Sequence, residues 1–84
     1  MAVEHATQKE LGNLLQQATR WLPPLDLAEA TELLAVREYS LALEVIADGL
    51  RQTKHIEPFI DLILKLAREM EIGNQPFVKA LNKR

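Results

Sequence analysis

Apolar residues recur at intervals of three and four through most of the chain, and nowhere alternate long enough to suggest a strand. The pattern predicts helices joined by short turns. A first helix opens at Thr7-Gln8-Lys9-Glu10, which has the form of a capping box. Its stripe runs through Leu11, Leu14, Leu15, Ala18, Trp21 and Leu22, and Pro23-Pro24 ends it. Asp26 is the expected cap of a second helix, with Leu25 as the hydrophobic staple before it. Leu27, Ala30, Leu33 and Leu34 then face inward, and Glu29 and Glu32 face outward.

The stripe loses phase at Val36-Arg37-Glu38, so a tight turn belongs there. A third helix from Tyr39 to Thr53 points Tyr39, Ala42, Leu43, Ile46 and Leu50 inward; Ser40, Glu44 and Asp48, four residues apart, form an outward column. Pro58 marks the start of a fourth helix, the most apolar of the set, with only Asp61, Lys65, Arg68 and Glu69 as its polar line. This one is expected to be the central core helix, closed by a left-handed cap at Gly73-Asn74. A short fifth helix from Pro76 is tethered by Phe77 and Leu81. The expected fold is all-α: a single domain over residues 1–84, built as a bundle of four helices plus a short C-terminal helix.

Composition changes this picture little. With 84 residues, 48% apolar and 26% charged, the chain has the make-up of one soluble globular domain. It has no cysteine, so a disulfide framework or thiolate metal site is excluded. No basic start followed by an apolar run suggests a secretory signal, and no segment approaches the roughly 18 apolar residues of a membrane span. The expected location is cytoplasmic, with no membrane partner.

Charge distribution matters more. The net charge is −2, yet residues 26–48 hold six acids against Arg37 alone, a local −5. Residues 49–84 hold seven bases against four acids. Such asymmetry bears on partners rather than fold. The acids of the middle region lack the interspersed Lys or Arg that would make ordinary i,i+4 pairs. They read either as a solvated face or as a binding patch spread over two helices and a turn.

Candidate chemistry is sparse. His5 and His55 have no His or Cys at ligand spacing and read as exposed histidines near helix ends. Ser40 has no identifiable base, and Gly12, Gly49 and Gly73 are too scattered to cradle a phosphate. Glu57 suits the dipole of a helix start. Lys79, Lys83 and Arg84 suit a helix C-terminus better than a nucleic-acid grip, and Trp21 reads as a core-edge residue. The expectation is no catalysis, no metal, no cofactor and no nucleic acid.

From Leu33 to Gly73 the chain resembles the MafI-type immunity proteins and related helical immunity proteins of contact-dependent growth inhibition. The matching pieces are Val36-Arg37-Glu38-Tyr39-Ser40-Leu41-Ala42-Leu43-Glu44 and Ile46-Ala47-Asp48-Gly49-Leu50, followed by Ile56, Leu62, Leu66, Ala67 and Met70. Ser40 stands where the family usually has Gly, and Met70-Glu71-Ile72-Gly73 lengthens the family's Met-Gly ending. The resemblance implies an antidote that binds a cognate toxin C-terminal domain one to one and blocks its active site. The expected toxin is a nuclease, foremost a ribonuclease, whose basic cleft an acidic patch would complement. The expected contact residues are Glu29, Glu32, Glu38, Tyr39, Glu44 and Asp48. Tyr39 is either an aromatic anchor there or the start of the inward stripe.

Two other classes compete. Glu38-Tyr39 followed by Leu-Ala-Leu-Glu also looks like a tetratricopeptide helix, which would make the chain a helical-hairpin adaptor, although no second copy of the unit is visible in the sequence. A small DNA-binding regulator would need a basic recognition helix, and the second and third helices are acidic.

Overall fold

The computed structural model describes residues 2–83, with side chains from Ala6 onward. Five α-helices follow one another: α1 (Ala2–Ala18), α2 (Pro24–Ala35), α3 (Tyr39–Gln52), α4 (Ile60–Glu69) and α5 (Pro76–Asn82). Single turns of 3-10 helix at Thr19–Trp21 and Glu57–Phe59 lead out of α1 and into α4. There is no strand among the described residues, so the fold is all-α as expected, with the short C-terminal helix in place.

The capping boxes do not form. α1 starts at Ala2, which leaves Thr7 in the helix interior and 5% exposed. α2 starts two residues before Asp26, at Pro24, with Pro23 extended at the cap position (ψ 145°). A proline at the first helical position sets φ and gives up only an N–H that had no partner anyway. Asp26 lies instead in the first turn, where the helix dipole favours a carboxylate. Leu25 is 84% exposed and staples nothing.

Three helices end in the same way. Glu38 N–H donates to Leu33 O (2.9 Å) and Arg37 N–H to Leu34 O (3.1 Å), the paired bonds of a Schellman cap. His55 and Lys54 do the same to Leu50 and Arg51, and Ile72 and Glu71 to Ala67 and Arg68, at the same two distances. The residue in the left-handed region is Arg37 (φ 65°), Lys54 (φ 62°) or Glu71 (φ 59°), and no described glycine has positive φ. Glu71 therefore takes the role expected of Gly73-Asn74. The three positions, 37, 54 and 71, are evenly spaced by 17 residues. This spacing divides the chain after α1 into two consecutive helical hairpins, α2–α3 and α4–α5, whose members are in contact. A second hairpin is thus present, invisible in sequence because its residues share backbone geometry rather than identity.

The centre of the molecule is α3. It packs against α1, α2, α4 and α5, and buries Ala42, Leu43, Ile46, Ala47, Gly49 and Leu50. α4, expected to be central, is only ten residues long and packs on α1, α3 and α5, with Leu62 and Leu64 half-buried. α1 lies across α2, α3 and α4 and inserts Leu11, Leu14, Leu15 and Ala18 into a single core shared with all of them.

Gly49 explains how closely the Pro23 corner sits on α3. A Cβ there would lie 2.7 Å from Leu22 Cδ2, 2.9 Å from Asp26 Oδ2 and 3.3 Å from Pro23 Cδ. Only a residue without a side chain admits that approach.

Candidate functional site

The acidic residues of the middle region fall on the α2–α3 hairpin, and the structure sorts them. Asp26 turns inward: its Oδ2 is buried against Gly49 with no hydrogen-bond partner. Glu29 and Glu32 on α2, Glu38 in the turn and Asp48 on α3 are exposed, and Glu44 is half-buried beside Asp48's face of α3. None of these five makes an ion pair or side-chain hydrogen bond with a described residue. The hairpin thus presents fixed negative charge that the fold itself does not neutralise.

Tyr39 belongs to the other side. It is half-buried against the core, and its hydroxyl is shielded from water without a hydrogen-bond partner. Of its two sequence readings, the start of the inward stripe is the one the geometry meets. Ser40 is half-buried.

Three large apolar side chains on the hairpin are exposed beside the acids: Leu25, Val36 and Leu41. Sequence reasoning assigned none of them to a surface. The sequence pattern makes Leu25 a staple and Val36 part of a turn, and nothing in apolar periodicity marks which leucine stays uncovered.

Elsewhere the surface is more conventional. His55 is exposed and stacks on the half-buried Trp21 ring, centroids 4.1 Å apart and 16° from parallel. The Arg20 guanidinium lies 4.8 Å from the same indole centroid, a cation–π distance. The stack ties the end of α1 to the loop after α3. Between α4 and α5 a groove of about 430 Å³ is lined by Leu64, Arg68, Glu71, Asn74, Val78 and Asn82 among others. It brings together a guanidinium, a carboxylate and two amides over an apolar floor.

Where α1 meets α4, Lys65 Nζ lies 3.3 Å from Glu10 Oε2. Glu69 hydrogen-bonds the same Glu10, and that bond, helped by slight desolvation and by repulsion between the two carboxyls, holds the Glu69 pKa above its ordinary value against the opposing pull of Lys65. Among the described residues no three His, Cys, Asp or Glu are placed to hold a metal ion, and no helix is long and apolar enough to cross a membrane. The side chain of His5 lies outside the described residues.

Comparison with protein-family models, with curated proteins and with solved structures returned no match.

Proposed function

We propose that this chain is an immunity protein that neutralises a secreted toxin domain acting in the cytoplasm, by direct one-to-one binding that covers the toxin's active site. The observation that carries the reading is the set of five unpaired carboxylates, Glu29, Glu32, Glu38, Glu44 and Asp48, gathered on one hairpin. Charges left unneutralised by the fold are available to a partner of opposite sign. A nuclease offers such a surface, because its cleft must hold a phosphate backbone. Facing potentials of opposite sign speed encounter and penalise wrong partners. The resemblance of residues 33–73 to MafI-type proteins points the same way and makes a ribonuclease the foremost candidate. Tyr39 leaves the set of contact residues, since its ring is committed to the core edge.

Neutralisation at cellular concentrations calls for nanomolar affinity, about −12 kcal/mol. The test is co-expression with the cognate toxin domain. Glu44→Lys with Asp48→Lys should slow association at least tenfold at low salt, and the loss should shrink as salt rises. A folded double variant that associates as fast as wild type would reduce the hairpin acids to a solvated face.

A second reading, a helical-hairpin adaptor, is favoured by the 17-residue spacing of the caps at 37, 54 and 71. Evenly spaced helix ends are what stacked helical hairpins produce, although two hairpins are fewer than the three or more units of a helical-repeat array. A wild-type protein that binds no toxin would leave this reading in place.

A further inference from the structure

The outer face of α2 carries a pattern that the acidic residues alone do not describe. Leu25, Glu29, Glu32 and Val36 succeed one another at spacings of four, three and four residues. At about 100° per residue they fall within a stripe roughly 60° wide, and at about 1.5 Å per residue the stripe is roughly 16 Å long. Leu25 is 84% exposed and Val36 65% exposed, and both glutamates are exposed. Ala28 and Ala35 beside them add no bulk that would cover the stripe. Each end is therefore apolar and uncovered, and the middle holds two carboxylates with no partner among the described residues.

We propose that this stripe docks one basic amphipathic helix of the partner protein, with two apolar residues seated on Leu25 and Val36 and two Lys or Arg between them on Glu29 and Glu32. The partner is the toxin domain, so the inference rests on the neutralisation reading for who supplies that helix. The spacing selects the occupant. Because four-three-four reads the same in both directions, a partner helix with apolar–basic–basic–apolar at the same intervals fits in either orientation. The same stripe of a second copy fits in neither. Paired antiparallel, Leu25 would meet Val36 of the other copy, but Glu29 would meet Glu32, setting carboxylate on carboxylate. Paired parallel, each glutamate would meet itself. Such like-charge contacts penalise the wrong partner, and an anionic membrane surface is repelled for the same reason.

The probe is a fluorescein-labelled synthetic helix of about 18 residues with Leu, Arg, Arg and Leu at four-three-four spacing. Its control has the same composition with the arginines moved to the opposite face. Both are followed by anisotropy against the full chain, alongside circular dichroism of every variant. The ordered peptide should bind at least tenfold more tightly than the control. Leu25→Ser with Val36→Ser should weaken it at least tenfold at any salt, and Glu29→Gln with Glu32→Gln should weaken it mainly at low salt. All four positions are exposed, so the variants retain the fold. Equal binding of the two peptides, or full binding by either double variant, would overturn the proposal. So would concentration-dependent self-association in sedimentation that Leu25→Ser with Val36→Ser abolishes, since the second copy would then be the occupant. Toxin protection separates the two readings. Protection undiminished by Leu25→Ser with Val36→Ser defeats the docking stripe alone. Peptide binding to the stripe with no protection by wild type defeats the neutralisation reading alone.

Discussion

α2 and α3 form one hairpin, yet they are used in opposite ways. α2 has four leucines in 12 residues and buries only Ala30. α3 has three leucines in 14 residues and buries six positions, half of them Ala or Gly. The difference lies in what surrounds each helix. α3 is packed on by four other helices, whereas α2 rests chiefly on α1 and α3. Small residues on α3 let neighbours approach closely enough to cover the large ones between them. On α2 the leucines outnumber the surfaces available to cover them, so the excess faces water. Apolar content therefore does not rank helices by depth; the number of neighbours does.

The largest effect should come from removing bulk at the centre. Leu43 and Leu50 are fully buried, and replacing either by Ala should cost about 2–5 kcal/mol, through lost transfer energy and the cavity left behind. Leu25→Ala on α2 should change stability by less than about 0.5 kcal/mol, as surface substitutions do. Urea melts of the two variants measure the contrast directly. A loss under about 1 kcal/mol at Leu43, or above it at Leu25, would mean that depth is assigned to the wrong helix.

A smaller effect, with a change of sign, should follow from two glycines. Gly49→Ala forces a methyl against Leu22, Pro23 and Asp26. Overpacking of this kind costs about 1–3 kcal/mol, and the gain in helix propensity returns about 1, so a net loss of about 1 kcal/mol is expected. Gly12→Ala in α1 meets nothing within 4 Å and should stabilise by about 0.5–1 kcal/mol. Thermal melts of both variants check the pair. A stabilised Gly49→Ala would show that the Pro23 corner is free to move away from α3.

The helices themselves were readable because their apolar stripes follow the 3.6-residue period, and the Val36–Glu38 turn was readable because the stripe breaks there. Prolines 24, 58 and 76 sit at or near helix starts as their missing N–H requires. What failed was chemistry with several solutions. Thr7 and Asp26 look like caps, but a cap signal is local, and the helices extend past both. The C-terminal caps fell on Arg37, Lys54 and Glu71, where a charged side chain replaces the glycine that usually announces a left-handed residue. The depth of α4 is not legible in sequence, because periodicity reports which face is apolar and not how many neighbours lie against it. The outward acids were legible from the third helix's phase, whereas the uncovered Leu25 and Val36 had no local mark.

The smallest effect lies outside the hairpin, where α1 meets α4. The hairpin's five outward carboxylates form no ion pair with a described residue, but here Glu69 hydrogen-bonds Glu10 while Lys65 reaches Glu10 at 3.3 Å. Sharing a proton with Glu10 raises the Glu69 pKa above the ordinary 4.5. A carboxyl with a higher pKa folded than unfolded binds its proton more tightly in the native state. Its contribution to stability is therefore complete below the unfolded value, near 4.5, and is lost as pH rises through the folded value. Solvent screens this exposed pair, so the change should be slight. Glu69→Gln keeps a hydrogen-bonding group and cannot titrate. Urea melts of wild type and Glu69→Gln across this range report the Glu10–Glu69 pair, since every carboxyl outside it is common to both. Wild type should lose stability relative to the variant as pH rises above 4.5. Parallel curves would mean that Glu10 and Glu69 do not share a proton in solution, and that the two helices meet there through Lys65 and Glu10 alone.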